Sequence, residues 1–282
     1  MIKEGILLID KPTNYTSRDI VNIISKELNY KKIGHTGTLD KSASGVLVLL
    51  IGKYTKLTNI LVHDEKEYIV SFKLGFETTT LDLEGEVTKR SNLKKKNDEI
   101  IDTINSFLGF YDQEVPLYSS VHVNGKRLYK YAIKQERVDL PKRKVEIKKI
   151  EIINIKDDEI TCKFLVSKGT YIRSLVRDIG NKLETYATVT SLKRTKEGIF
   201  NIKECNSLDD IRKGMYKIYD LHKIYGNDHF IELDDELYKK VSNGQKISLN
   251  KEKNYIVLTY NKEIIALYKK ENQKYKMFIK FR

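Results

Sequence analysis

The stretch that most constrains this chain is a glycine-rich loop that leads directly into an apolar strand. The loop covers residues 34–45, with the sequence GHTGTLDKSASG, and the apolar run VLVLLI follows at 46–51. Three glycines within twelve residues indicate tight turns and a close approach of the backbone to a neighbour. The uninterrupted apolar run predicts a strand that is buried on both faces. A loop anchored to such a strand is held rigidly, so it can place a side chain accurately.

Asp40 is the only carboxylate in this loop. The loop lacks the G-x-x-x-x-G-K-[ST] spacing of a phosphate-binding loop. No second carboxylate or cysteine lies close enough in sequence to suggest a metal site. Two interpretations of Asp40 therefore stay open from the residues alone. It is a nucleophile or general acid/base, or it bonds its own backbone in an Asx-turn.

The whole string resembles the G-H-T-G-T-L-D-P-x-A-x-G-V-L motif of the tRNA pseudouridine synthase B family. Residues 34–40, Ala43 and residues 45–47 match this motif, whereas Lys41 stands where the family usually has proline. Lysine removes one rigid φ angle, which affects the stiffness of the loop. The resemblance implies that Asp40 is the catalytic nucleophile.

A second block, SKGTYIRSLVRDIG at residues 167–180, matches the S-K-G-T-Y-I-R-[ST]-L-x-x-D-[LI]-G motif of the same family. Its pattern predicts a strand, a glycine turn and a helix with Arg173 in the first turns. The resemblance implies that Arg173 pairs with Asp40. A guanidinium can hold a carboxylate ionised and oriented through two parallel hydrogen bonds.

The resemblance assigns further site residues. It implies that Tyr68 stacks on the target uracil and helps to remove the C5 proton, and that Leu192 lines the uracil pocket. A uracil in a folded T loop is stacked and must be flipped out, and His35 would occupy the vacated space. Gly37 and Lys11 complete the predicted substrate-binding set, with Lys11 supporting the catalytic loop.

The residue types alone leave simpler alternatives open for three of these side chains. Tyr68 is equally typical of an ordinary strand tyrosine, and His35 of a hydrogen-bonded structural histidine. Lys11 is equally compatible with an exposed lysine at the end of a strand.

Charge favours a polyanionic partner, because 52 Lys and Arg exceed 39 Asp and Glu by 13. A general role of lysine in solubility is the alternative. No segment is long enough to cross a bilayer, so a membrane protein is not expected. Cys162 and Cys205 form neither a disulfide framework nor a zinc pattern, which indicates a reducing cytoplasm. Nothing in the sequence requires a metal or a cofactor.

The expected fold class is α+β, with the pseudouridine synthase fold around a mixed, largely antiparallel sheet. We expect a catalytic domain over residues 1–225 and a small β-barrel of the PUA type over 228–282 that binds the acceptor stem. Residues 67–75 predict a half-buried strand paired with 85–88, and 53–61 and 98–108 predict helices.

The resemblance implies that the chain isomerises uridine to pseudouridine at position 55 in the T loop of tRNA. We expect a monomer that needs no cofactor. Two alternatives remain at this point: a non-catalytic RNA-binding or ribosome-assembly factor, and a synthase that acts on a different RNA site.

Overall fold

A computed structural model describes residues 4–61 and 65–282 of the chain. Within these ranges it contains eighteen strands and seven α-helices. The strands are β1 (Gly5–Lys11), β2 (Ile33–His35), β3 (Ser44–Ile51), β4 (Lys66–Leu74), β5 (Phe76–Thr78), β6 (Val87–Arg90), β7 (Gly109–Glu114), β8 (His122–Val123), β9 (Lys126–Arg127), β10 (Lys142–Lys156), β11 (Glu159–Val166), β12 (Ala187–Glu197), β13 (Phe200–Asn201), β14 (Ile218–Tyr219), β15 (Phe230–Glu232), β16 (Tyr255–Tyr260), β17 (Glu263–Glu271) and β18 (Lys274–Lys280). The helices are α1 (Ser17–Glu27), α2 (Thr58–Leu61), α3 (Asn97–Asn105), α4 (Leu128–Ile133), α5 (Ile172–Lys182), α6 (Leu208–Arg212) and α7 (Asp235–Ser242).

Ten strands form one large sheet whose main order is β14-β1-β3-β12-β4-β11-β10-β7, with β2 beside β3 and β13 beside β12. Within this sheet, β3 and β12 run parallel and the other pairs are antiparallel. The prediction of an α+β fold with a mixed, largely antiparallel sheet is therefore confirmed.

The sheet is buried on both faces where β1 and β3 lie side by side. Successive side chains of a strand point to opposite faces. Leu47 and Leu49 accordingly belong to one hydrophobic core, and Val46, Val48 and Leu50 to another. The continuous apolar run at 46–51 is thus explained by two cores, one on each side of the strand.

The first core lies under the helices. Thr16 caps α1: its hydroxyl accepts from the Asp19 amide, and the Asp19 carboxylate accepts from the Thr16 amide. Ile20, Val21 and Ile24 of α1 are buried against the sheet, together with the apolar side of α5. The cap and the apolar stripe together orient α1 on the sheet.

The C-terminal region forms a separate sheet in the order β15-β16-β17-β18. Its outer strands β15 and β18 are not paired with each other among the described residues, so the sheet is open and the predicted closed barrel is not confirmed. Val257, Leu267 and Ile279 of this sheet pack into the second core with residues of β1 and β3. The two parts of the chain consequently share buried apolar surface.

Two local predictions need correction. β6 pairs with β5 in a separate two-stranded ribbon, whereas the neighbours of β4 are β11 and β12. The segment predicted as one helix over 53–61 is a 3-10 helix at Gly52–Leu57 followed by the short α2. Within the described ranges, no helix combines the length and apolar character that a membrane crossing requires.

Candidate active site

Three neighbouring strands bring the predicted site residues together. In the register of the sheet, Gly45 of β3 lies opposite Arg194 of β12, and Arg194 lies opposite Tyr68 of β4. The loop of residues 34–45, named the catalytic loop after its predicted role, therefore ends beside the strand that carries Leu192 and Arg194. Gly45 has a φ of +107°, and a Cβ there would lie 2.1 Å from the Arg194 carbonyl oxygen. Glycine at this position allows the two strands to meet.

The catalytic loop is anchored to the start of α1. The Ser17 hydroxyl donates to the Leu39 carbonyl at 3.2 Å and accepts from the Leu39 amide at 2.9 Å. Leu39 and Ala43 are buried on either side of Asp40, so the backbone around the carboxylate is fixed. The Asp40 side chain itself keeps 40% of its exposure, as a group that contacts a substrate must.

Arg173, the second residue of α5, holds this carboxylate. Its Nε donates to Asp40 Oδ2 at 2.8 Å. Its Nη1 donates to the Thr80 carbonyl at 2.7 Å, and its Nη2 to the Tyr118 carbonyl at 3.1 Å. The predicted pairing with Asp40 is present, but it uses one hydrogen bond instead of two parallel bonds. The other two nitrogens fix the orientation of the guanidinium, which is buried.

One cavity of about 670 Å³ contains most of the predicted site. Five of the seven predicted site residues line it, namely Gly37, Asp40, Tyr68, Arg173 and Leu192. Its walls are mainly apolar, with the carboxylate and guanidinium on one side. A single nucleoside fits a cavity of this size.

Tyr68 is almost fully buried in the wall of this cavity. Burial raises the pKa of its phenol, while the positive charge of Arg194 acts in the opposite direction on that pKa. The hydroxyl is therefore protonated at neutral pH and lies close to a fixed positive charge.

Lys11 lies behind the catalytic loop and does not line the cavity. Its side chain is buried, and its Nζ donates to the carbonyls of Pro12 at 2.9 Å and Tyr15 at 2.7 Å. The alternative of an exposed lysine is therefore wrong. The turn that Lys11 holds contains Asn14, whose amide donates to the Lys41 carbonyl at 2.9 Å, so Lys11 supports the catalytic loop. Burial lowers the Lys11 pKa to about 8.

His35 lies on β2, at the start of the catalytic loop and outside the lining of the cavity. Its Nδ1 is buried without a hydrogen-bond partner among the described residues, so the alternative of a fully hydrogen-bonded histidine does not describe it. Burial lowers the His35 pKa, and the nearby Arg18 and Arg194 lower it further. The imidazole is consequently neutral at pH 7.

The sequence did not single out a buried ion pair below the loop. Arg194 and Glu197 are each 1% exposed, with Arg194 Nη2 and Glu197 Oε2 2.9 Å apart. Charged residues on a strand normally indicate a solvated face, so only their position after Leu192 could have drawn attention to them.

A second buried carboxylate, Asp82, was also missed. Its Oδ2 accepts from the Ser42 hydroxyl at 3.0 Å, and its Oδ1 accepts from the Thr80 hydroxyl at 2.5 Å. Asp82 thus connects the catalytic loop to the segment whose Thr80 carbonyl holds Arg173.

Three lysines contribute to the lining of the cavity. Lys41 and Lys168 are exposed, and lysines in such places suit the phosphates on either side of a bound nucleotide. Lys66 is largely buried, with its Nζ 3.9 Å from Glu197 Oε1. In residues 4–61 and 65–282, no three His, Cys, Asp or Glu side chains are grouped to hold a metal ion.

Comparison with known families identifies the group to which this site belongs. Residues 25–172 match the model of the TruB family pseudouridylate synthase N-terminal domain, and residues 173–234 match that of the tRNA pseudouridylate synthase B C-terminal domain. The chain belongs to the TruB family of pseudouridylate synthases. Strands β16 to β18 lie beyond both matched ranges.

Curated relatives agree over nearly the whole chain. A tRNA pseudouridine synthase B from Caldicellulosiruptor saccharolyticus is 39% identical over 98% of this chain and 98% of its own length. The protein of the same name from Mesoplasma florum is 37% identical over 96% of both. The TruB-type synthases are isomerases that form pseudouridine in tRNA.

Solved structures support the fold. A Cbf5-Nop10-Gar1 complex contains a chain that matches with a TM-score of 0.69 and 24% identity, over 98% of this chain and 84% of that one. An H/ACA RNP bound to a substrate RNA containing 2'-deoxyuridine matches with a TM-score of 0.68 and 22% identity, over 98% and 84%. At these identities the comparison concerns the fold alone, and it confirms the pseudouridine synthase fold.

Proposed function

We propose that this chain converts the uridine at position 55, in the T loop of tRNA, to pseudouridine. The observation that carries the proposal is the Arg173–Asp40 hydrogen bond of 2.8 Å at the wall of a nucleoside-sized cavity. A carboxylate that is both oriented and accessible is suited to attack on a substrate.

The reaction is an isomerisation, so its atoms balance without a co-reactant. Asp40 forms a bond to the nucleoside, the bond between N1 and C1' breaks, and the uracil turns in the cavity. When the bond between C5 and C1' has formed, the bond to Asp40 breaks and the free carboxylate is regenerated, the C5 proton leaves, and N1 gains a proton. We assign Asp40 as the nucleophile, with Arg173 holding its carboxylate ionised.

The cavity walls supply the recognition of the base. We assign Tyr68 to stacking on the uracil and to assisting removal of the C5 proton, and Leu192 to packing against the other side. A base has to leave the stacked T loop to reach this depth. His35, which is neutral and next to the loop, is proposed to fill the space that the base leaves.

The rest of the tRNA extends beyond the cavity. We assign Lys41 and Lys168 to phosphates around the flipped nucleotide, and the region 228–282 to the acceptor stem, in the manner of a PUA-type domain. The catalytic part then comprises residues 1–225. We propose that the protein works as a monomer in the cytoplasm.

A non-catalytic RNA-binding or ribosome-assembly factor would share the basic charge. Such a factor has no use for an accessible carboxylate that is held by a buried arginine, beside a buried tyrosine. A synthase for another RNA site would use the same cavity, and it therefore differs from the proposal only in its RNA target.

The experiment uses unmodified tRNA labelled with tritium at C5 of uridine, because rejoining through C5 releases that hydrogen to water. We expect release by the wild type and a fall of roughly 10³-fold for Asp40→Asn, with tRNA affinity retained. Asp209→Asn makes the same change on the exposed part of α6 and is expected to keep the full rate.

A tRNA with cytidine at position 55 separates the RNA targets. Tritium release that persists with this tRNA would point to a different site. Binding without any tritium release by the wild type would favour the non-catalytic factor.

A further inference from the structure

We infer that Glu197 is a positioning residue for the catalytic loop and acts through Thr36 and Gly37 together with Arg194. The inference rests on the proposed function. Glu197 does not line the cavity, whereas Arg194 and Thr36, through which it acts, do.

The contacts place Glu197 between the strand and the loop. Its Oε1 accepts from the Thr36 hydroxyl at 2.9 Å, and its Oε2 lies 2.9 Å from Arg194 Nη2. Arg194 Nη2 also donates to the Gly37 carbonyl at 3.2 Å, and Arg194 Nε donates to the Val46 carbonyl at 2.8 Å. The ion pair thus holds both ends of the loop that carries Asp40.

The space beside Gly37 shows how closely the loop rests on this pair. A Cβ at Gly37 would lie 2.9 Å from Glu197 Oε1 and 3.3 Å from Arg194 Nη1. Arg194 also lies opposite Tyr68 in the register of β12 and β4. One buried ion pair therefore fixes the loop of Asp40 relative to the side chain that stacks on the base.

A buried ion pair is a weak source of stability, since the desolvation of two charges offsets much of their attraction. If the pair served stability alone, removing one hydrogen bond to it would have little effect on the rate of the chemical step. A role in positioning predicts a loss in the chemical step, because a displacement of about 1 Å can cost about 100-fold in rate.

The test changes Thr36 and leaves the ion pair intact. We expect Thr36→Val to slow single-turnover tritium release from saturating tRNA by 10-fold to about 100-fold, with the dissociation constant of tRNA unchanged within a factor of about 3. Thr36→Ser keeps the hydroxyl and is expected to restore the rate. Thr185→Val is the matched control, because the Thr185 hydroxyl is buried without a hydrogen-bond partner among the described residues.

Glu197→Gln distinguishes positioning from a direct contact between Thr36 and the substrate. Both substitutions disturb the same contact, between the Thr36 hydroxyl and the Glu197 carboxylate. The double variant is therefore expected to be no slower than the slower single variant. Rate losses that multiply, or a Thr36→Val enzyme with the wild-type rate, would overturn the inference.

Hydrogen exchange in the absence of RNA gives a readout that does not depend on activity. We expect amides of residues 34–45 to exchange faster in Thr36→Val and Glu197→Gln than in the wild type, with no change in Thr185→Val. Unchanged exchange in that loop would refute the positioning role. If the wild type releases no tritium but the loop exchanges faster in the variants, the proposed function fails and the positioning role stands.

Discussion

At the scale of single residues, Arg173 is the clearest example of a charge that is fixed from several sides. Lysine in its place would keep the charge but lose the planar group that contacts Asp40, the Thr80 carbonyl and the Tyr118 carbonyl together. We expect Arg173→Lys to lower tritium release by about 100-fold or more with little change in tRNA affinity. Filter binding and single-turnover release measure the two quantities separately.

The opposite pattern would assign Arg173 differently. Weaker tRNA binding with intact turnover on bound RNA would make Arg173 a phosphate contact. That outcome is not expected, because the guanidinium is buried and all three of its nitrogens have partners within the protein.

Lys11 makes the free energy of unfolding depend on pH in the alkaline range. Its pKa is about 8 in the folded protein against 10.5 as the ordinary value, and burial is the main cause. Between these two values the unfolded chain binds more protons than the folded one, so this group raises the free energy of unfolding as the pH rises. From pH 7 to 9.5 the calculated gain is on the order of 2 kcal/mol.

Lys11→Met removes this titration and keeps a similar volume. We expect urea unfolding at pH 7 and pH 9.5 to show that the stability of the wild type, relative to Lys11→Met, increases by about 2 kcal/mol at the higher pH. The difference between the two proteins cancels the titration of the other groups. A difference that is independent of pH would mean that burial does not lower the pKa of Lys11 in the folded protein.

At the scale of elements, the sequence was most informative where one segment determines its own structure. The capped α1, the doubly buried β3 and the start of α5 at Ile172 follow from local patterns of caps, apolar runs and glycine turns. The motifs of residues 34–45 and 167–180 each identified one charged residue of the site, and the structure brings those two within 2.8 Å.

Pairing between distant segments was harder to predict from the sequence. Residues 85–88 were paired with the wrong strand, because alternation along a strand does not specify its neighbour. Arg194 and Glu197 were missed for a related reason. Their burial depends on the catalytic loop covering them, and that loop lies about 160 residues earlier in the chain, the Thr36–Glu197 separation being 161.

The open C-terminal sheet also escaped prediction. Alternating strands in the tail indicate a half-buried sheet but do not decide whether its edges close into a barrel. In the structure one face of this open sheet packs into the core that it shares with the main sheet, through Val257, Leu267 and Ile279.

At the scale of the whole molecule, this shared core determines how the C-terminal region can be tested. The Lys53 ammonium donates to the Phe281 carbonyl at 2.6 Å, and the rings of Tyr54 and Phe281 lie 5.0 Å apart. Deletion of residues 228–282 would expose the second core and confuse loss of RNA contacts with loss of folding. Surface substitutions avoid this difficulty.

Three exposed lysines of β17 and β18 are suitable for such substitutions. Lys269 lies opposite Lys276, and Lys274 is two residues away on the same face. Glu271, opposite Lys274 on the same face, lies 3.6 Å from the Lys276 ammonium, so the three lysines exceed the one carboxylate and the face suits an anionic partner.

If the acceptor stem lies there, changing all three lysines to Gln should weaken the binding of full-length tRNA. The slope of log K against log salt should become shallower by about 2 to 3, since each lost phosphate contact removes about 0.9. Binding of an isolated T-arm hairpin, which has no acceptor stem, should be unchanged, and equal losses for both RNAs would place this face against the T arm instead.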